Sequence, residues 1–242
     1  MKPCITCKNK PIKNGIYKAH LEHFADKKLP KDNKCYHHKN GNKIIMLKLK
    51  PNKTVFYFAT NERDFTKSIN PQIKAYGNLK NSGVVRVNKD GEAVAYLKCP
   101  QLYRNVKDDV YSRHMHFLYW DDDKKIWDKN LYTQQILCNV NDAFVKKYTK
   151  KSIIIDARSS EYYNKSHVKG AINLPYNKRW TEESVLEELK KGMKNYNGNK
   201  LVPIILYCSK GNNYGDKLYH KLNKLGFYNT MHAEGVSLDK IN

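Results

Sequence analysis

Leu201-Val-Pro-Ile-Ile-Leu-Tyr-Cys-Ser-Lys-Gly-Asn-Asn-Tyr-Gly215 decides the fold of the C-terminal part of the chain. Residues 201–207 form a short, continuous apolar run rich in branched side chains, the pattern of a strand buried in a parallel sheet. Residues 216–225 then predict a helix. Leu218, Leu222 and Leu225 recur at helical spacing, and Gly226 stands where a helix usually stops. Cys208 is thereby placed in a tight strand-to-helix loop. Converging backbone N–H groups, Lys210 and the dipole of the following helix are expected to lower its thiol pKa.

A second strand-and-loop segment precedes it, Ser152-Ile-Ile-Ile-Asp-Ala-Arg-Ser-Ser-Glu-Tyr-Tyr163, followed by His167-Val-Lys-Gly-Ala-Ile-Asn-Leu-Pro175. Four ordered blocks emerge: Asp156-x-Arg158-x-x-Glu161-Tyr162, His167-x-x-Gly170-Ala171-Ile172-Asn173-x-Pro175, Tyr207-Cys208-x-x-Gly211 and Leu225-Gly226-Phe227. Together, over residues 145–242, they resemble the rhodanese homology domain. The resemblance implies a small α/β domain with a parallel sheet. Its loop cysteine takes a sulfane sulfur from an anionic donor such as thiosulfate, holds it as a persulfide, and passes it to a thiol, protein or cyanide acceptor, with no cofactor needed. It makes Cys208 the catalytic residue and Ser209, Lys210, Gly211, Asn212, Asn213 and Tyr214 the substrate loop. Asp156 and Arg158 become a charged pair that orders the wall.

This chain departs from the family pattern at three points. Asn213 stands where many members carry Arg, which opens the question of substrate preference, and the loop is closer to that of some short members. Tyr214 occupies the position at which the related cysteine phosphatases need Arg to grip phosphate bidentately, which argues against phosphatase activity. The final Gly-Gly-Trp is reduced to Glu234-Gly235-Val236, so a short or missing last helix is expected.

The chain has 242 residues, more than this domain needs, so at least one further domain is expected. A hydrophobic content of 40% with 12% aromatics suits packed cores rather than disorder. No run approaches a membrane span, and Met1-Lys-Pro-Cys4 does not open like a signal peptide. The expectation is a protein of an intracellular, reducing compartment such as the cytoplasm, without membrane contact, or packaged in a virion. A net charge of +22, from 45 basic against 23 acidic residues, suggests nucleic acid or an acidic partner. Only six of the basic residues are Arg, however, and scattered Lys gives diffuse, nonspecific attraction rather than gripped phosphates. The alternative reading is therefore a basic, zinc-containing binding or virion-associated protein that uses the rhodanese fold as a scaffold.

Residues 1–40 supply the zinc candidates. Cys4, Cys7, His20 and His23 resemble a small zinc finger, with Pro11 at the finger's core aromatic position and a shortened histidine gap as departures. Cys4, Cys7, Cys35 and His38 form the alternative set. Residues 41–140 change to alternating patterns. Three hairpins are expected: 43–50 with 54–60 around Pro51-Asn52, 83–87 with 93–99 around Asn88-Lys-Asp-Gly91, and 114–120 with 131–137 across Asp121-Asp-Asp123. Repeated hairpins imply an antiparallel β-sandwich-like domain. Within it, residues 83–117 resemble the core of intradiol ring-cleaving dioxygenases at Pro100, Tyr103, His114 and His116. That resemblance implies a tyrosinate and two histidines on ferric iron, and strand alternation puts His114 and His116 on one face. A second tyrosine ligand has no motif to locate it. Iron is not the favoured cofactor, and an iron-dependent oxygenase stands as a further alternative. The polar, Lys-rich stretch 141–151 reads as the linker to the C-terminal domain.

Overall fold

The computed structural model describes residues 29–37, 41–105, 107–193, 196–209 and 213–237. They fall into two compact units, one ending at Ile136 and the other beginning at Leu137.

The first unit holds strands β1 (Asn42–Met46), β2 (Thr54–Ala59) and β3 (Asn70–Pro71), helix α1 (Gln72–Tyr76), and strands β4 (Ser82–Arg86), β5 (Ala93–Leu97), β6 (Tyr103–Arg104), β7 (Val110–Tyr111), β8 (His114–Asp121), β9 (Ile126–Trp127) and β10 (Tyr132–Gln135). Its main sheet runs β10-β8-β2-β4 with β9 on β8; β1 pairs with β5, and β3, β6 and β7 form a third sheet. All pairs are antiparallel except β3 with β6. The region is antiparallel and sheet-rich, but two of the three expected hairpins pair otherwise. All six residues of β2 are buried, which suits a strand flanked on both sides, and it lies between β4 and β8 rather than beside β1. The Asn88–Gly91 turn forms, with Asn88 N–H donating to Glu92 O, but it joins β4 and β5, which lie in different sheets. It is a corner rather than a hairpin tip. The third hairpin pairs as expected, β10 against β8 with Tyr132 opposite Phe117. Phe56, Phe58, Leu118, Trp120, Trp127 and Leu131 fill the core, joined by Tyr76 and Tyr103.

The second unit contains α2 (Asp142–Tyr148), a 3-10 turn (Thr149–Lys151), β11 (Ile153–Asp156), α3 (Ser160–Lys165), β12 (Ile172–Asn173), α4 (Glu182–Gly192), β13 (Ile204–Cys208), α5 (Tyr214–Lys224) and β14 (Thr230–Glu234). The four strands are parallel in the order β12-β11-β13-β14, and each crossover carries a helix, as parallel pairing requires. Ile153, Ile155, Ile204 and Leu206 pack with Val185 and Leu189 of α4 and Leu218 and Leu222 of α5. Each such side chain contributes on the order of 2 kcal/mol through burial. Residues 141–151 are not a linker. Asn141 caps α2, its Oδ1 accepting from the Phe144 amide at 3.0 Å, and Val145 and Tyr148 are buried. Of the four lysines that gave the stretch a linker-like composition, those at 146 and 147 lie on the exposed face of this helix and those at 150 and 151 in the exposed turn after it. The expected shortening of the last helix concerns residues outside those described. Among the described residues no helix is long and apolar enough to cross a membrane.

Candidate active site

Cys208 is the last residue of β13, opposite Glu234 in the β14 register, and is 2% exposed. Leu206 lies opposite His232, and because side chains alternate along a strand, His232 shares a face with Cys208. The Cys208 Sγ to His232 Nε2 distance is 3.5 Å. On the other side of the ring, Nδ1 lies 3.0 Å from Asn139 Oδ1 and 3.4 Å from Asp216 Oδ1. Asn139 reaches this position because residues 138–140 run parallel to the edge of β14. The His232 N–H donates to Cys138 O at 3.0 Å, and the Val140 N–H donates to His232 O at 2.8 Å. From the first turn of α5, the backbone N–H of Gly215 donates to the Cys208 sulfur.

Burial pushes the Cys208 thiol up to about 11; the Gly215 N–H acts against the rise, and Asp216, Glu234 and Asp156 add to it. The expected depression of the thiol is therefore overturned. The sulfur lies in the packed interior, and one helix-start amide does not outweigh its burial. Lys210, Gly211 and Asn212, to which the depression was partly assigned, lie outside the described residues. Burial lowers His232 to about 4, so its imidazole is neutral at ordinary pH. Burial, with Glu234 adding, raises the Asp216 carboxyl to about 6.

Asp156 and Arg158 form the expected charged pair. Asp156 is fully buried, and its carboxylate accepts from Arg158 Nε at 2.9 Å and from Nη2 at 2.7 Å. The Tyr207 hydroxyl donates to Asp156 Oδ2 at 2.7 Å and accepts from the Val168 amide at 3.1 Å. Tyr207, the residue before Cys208, is thus fixed from the neighbouring strand. Of the remaining loop residues, Ser209 is half-buried, and Asn213 and Tyr214 are exposed at the start of α5. Lys217 Nζ sits 5.5 Å above the Tyr214 ring and 5.9 Å above that of Tyr176.

The zinc candidates Cys4, Cys7, His20, His23 and His38 lie outside the described residues, and Cys35 is an exposed free thiol. Among the described residues no group of three His, Cys, Asp or Glu side chains is placed to hold a metal. Tyr103, His114 and His116 do come together in the first unit. Tyr103 Oη is 3.2 Å from His114 Nε2, and the two imidazole centroids are 4.8 Å apart. Tyr76, which no motif had located, joins them with its Oη 3.4 Å from the same nitrogen.

Residues 141–235 match a family model described as the rhodanese-like domain, and this part of the chain belongs to that family. An uncharacterized protein of Buchnera aphidicola subsp. Schizaphis graminum (strain Sg) is 31% identical over 112 residues, covering 42% of this chain and 70% of the relative. The sequence motifs name Cys208, Asp156 and Arg158 but give no sign of the residues around the Cys208 sulfur, His232, Asn139, Asp216 and Gly215. Only the strand register and the closeness of the α5 backbone bring these to the sulfur.

Proposed function

We propose that the rhodanese-like domain is a sulfurtransferase that carries sulfane sulfur as a persulfide on Cys208 and passes it to a thiol or cyanide acceptor. The observation that carries this reading is the position of Sγ. It lies at the C-terminal end of a central parallel strand and receives the Gly215 N–H from the start of α5. That amide stabilises negative charge on sulfur as it forms. The Cys208 sulfur, losing its proton, attacks the outer sulfur of a donor such as thiosulfate, the donor's S–S bond breaks, and sulfite leaves with the bonding pair. An acceptor nucleophile then takes the outer sulfur and returns the cysteine. Lys217, over the rings of Tyr214 and Tyr176, supplies positive charge suited to an anionic donor. The direct test is thiocyanate formation from thiosulfate and cyanide. Turnover is expected in the native protein and lost in Cys208→Ser; equal rates in the two would overturn the proposal.

A second reading concerns the sheet-rich domain. Tyr76 Oη and Tyr103 Oη both lie beside His114 Nε2 in its core, with the His116 ring packed against them, and this juxtaposition is what favours a ferric ion. His114 Nδ1 lies 2.6 Å from Ser112 O and His116 Nδ1 lies 2.8 Å from Thr133 Oγ1. For His114 such a contact leaves Nε2, the nitrogen beside the two phenols, as the ligand atom. Burial keeps both imidazoles neutral, the form that binds metal, and raises both phenols, so a cation there would have to displace their protons. Ferric iron would supply a redox and Lewis-acid centre for an oxygenase. The test is metal content with the visible tyrosinate-to-iron band. Both are expected in protein expressed with iron and lost in Tyr103→Phe; colourless, metal-free protein contradicts this reading.

A further inference from the structure

We infer that His232 is the general base of Cys208, with Asn139 and Asp216 as its positioning residues. The inference rests on the sulfur-transfer reading for its substrate but on separate geometry. A buried histidine that only fills a core satisfies its nitrogens among neighbours away from the chemistry. His232 instead aims Nε2 at the one buried thiol of the domain that carries the proposed reaction, at 3.5 Å. Its other nitrogen lies against Asn139 Oδ1 at 3.0 Å, which assigns the proton to Nδ1 and leaves Nε2 as an acceptor. Asp216 Oδ1, 3.4 Å from Nδ1, is placed to stabilise the imidazolium that forms. This is the logic of nucleophile, base and orienting group recognised by geometry rather than by chain order.

The step balances. The Cys208 S–H proton passes to His232 Nε2 as the sulfur pair forms a bond to the donor's outer sulfur; the donor S–S bond breaks and sulfite departs with its electron pair. The imidazolium then protonates sulfite or water. In the return step Nε2 takes a proton from the thiol acceptor, or from water when the acceptor is cyanide, and passes it to the Cys208 sulfur as the persulfide S–S bond breaks. Because the resting pair is neutral, a thiol held up to about 11 beside an imidazole lowered to about 4, the proton moves only as the new bond forms. The other ionisable groups acting on this pair are Asp216 and His220 from α5, Glu234 from β14 and Asp156 from β11.

The experiment compares native protein with His232→Gln and Asn139→Ala, each checked for folding by circular dichroism. Alkylation of Cys208 by iodoacetamide is followed across pH, and persulfide formation with thiosulfate is followed by mass. At about pH 7 the native alkylation rate should exceed that of His232→Gln by tenfold or more and should level off, whereas the variant's rate should climb with pH as for an unassisted thiol. Asn139→Ala should lose part of the advantage. Superposable profiles in native protein and His232→Gln overturn the inference, as do equal persulfide rates in the two. If His232→Gln does not fold, Asn139→Ala and Asp216→Asn carry the test, and unchanged profiles in both overturn it. A native profile that differs from the variant's without any persulfide would support the base while removing the sulfur-transfer reading.

Discussion

Gly215 approaches Cys208 so closely that a Cβ built on it would stand 2.7 Å from the sulfur, and nearer still to His232 Nε2. The first turn of α5 can donate its amide to the thiol only because this residue has no side chain. Gly215→Ala must move the helix, the thiol or the imidazole, none of which has room in a packed interior. The expected cost is about 1–3 kcal/mol in urea unfolding, together with loss of sulfur transfer. Native stability and activity in this variant would mean that the helix start does not rest on the sulfur.

The Asp156 carboxylate joins Arg158 and the Tyr207 hydroxyl with no exposure of its own. Asp156→Asn leaves the guanidinium half-buried without its counter-charge and should cost about 3–5 kcal/mol. Tyr207→Phe removes one hydrogen bond and should cost about 1–2 kcal/mol. Because both substitutions act on the same carboxylate, the double variant should cost less than their sum. Strict additivity in urea unfolding would contradict a shared network.

Stability should depend on pH through the same site. His232 is lowered to about 4 and Asp216 is raised to about 6. Between about 4 and 6.5 the unfolded chain binds more protons at His232 than the native state does, so this residue makes stability rise with pH. Asp216 has the opposite sign, because up to about 6 the native state holds the extra proton, and stability falls as pH rises. In the native protein the two slopes offset each other. Asp216→Asn should therefore uncover a clear rise in unfolding free energy between about pH 4 and 6.5. A flat or falling profile in that variant would show that His232 is not held neutral by burial.

Cys208 acts at the alkaline end. An unfolded thiol ionises near 8.5, whereas the native one is held up to about 11, so stability present below the first value is lost as pH climbs toward the second. The difference in unfolding free energy between native protein and Cys208→Ser should shrink across that window. A constant difference would place the thiol in a far more open site.

The parts of the fold that could be read from sequence were those with local signatures. The apolar run 201–207 and the leucines at 218 and 222 announce a buried strand and the helix that follows it, although the strand itself is Ile204–Cys208 and takes in the cysteine expected in the loop. The Asp156–Arg158 pair is likewise local, two residues apart. His232 is not: it sits 24 residues from Cys208 and 93 from Asn139, and only parallel register joins the three. Tyr76 is 38 residues from His114 and reaches it from a five-residue helix with no pattern of its own. Alternation in residues 41–140 signalled strands but only one of the three expected pairings, that of β8 with β10, since β2 gives no sign in its sequence that it prefers β4 and β8 to β1. The thiol pKa departs from expectation because a loop near a helix start suggests exposure and positive potential, whereas the side chain is buried at the end of β13.

Mass spectrometry of the intact protein after incubation with thiosulfate, beside Cys208→Ser, tests the central claim most directly. The native chain should gain one sulfur, about 32 Da, released again by cyanide, and the variant should gain nothing. An unmodified native chain, or the same gain in both, would contradict a persulfide on Cys208.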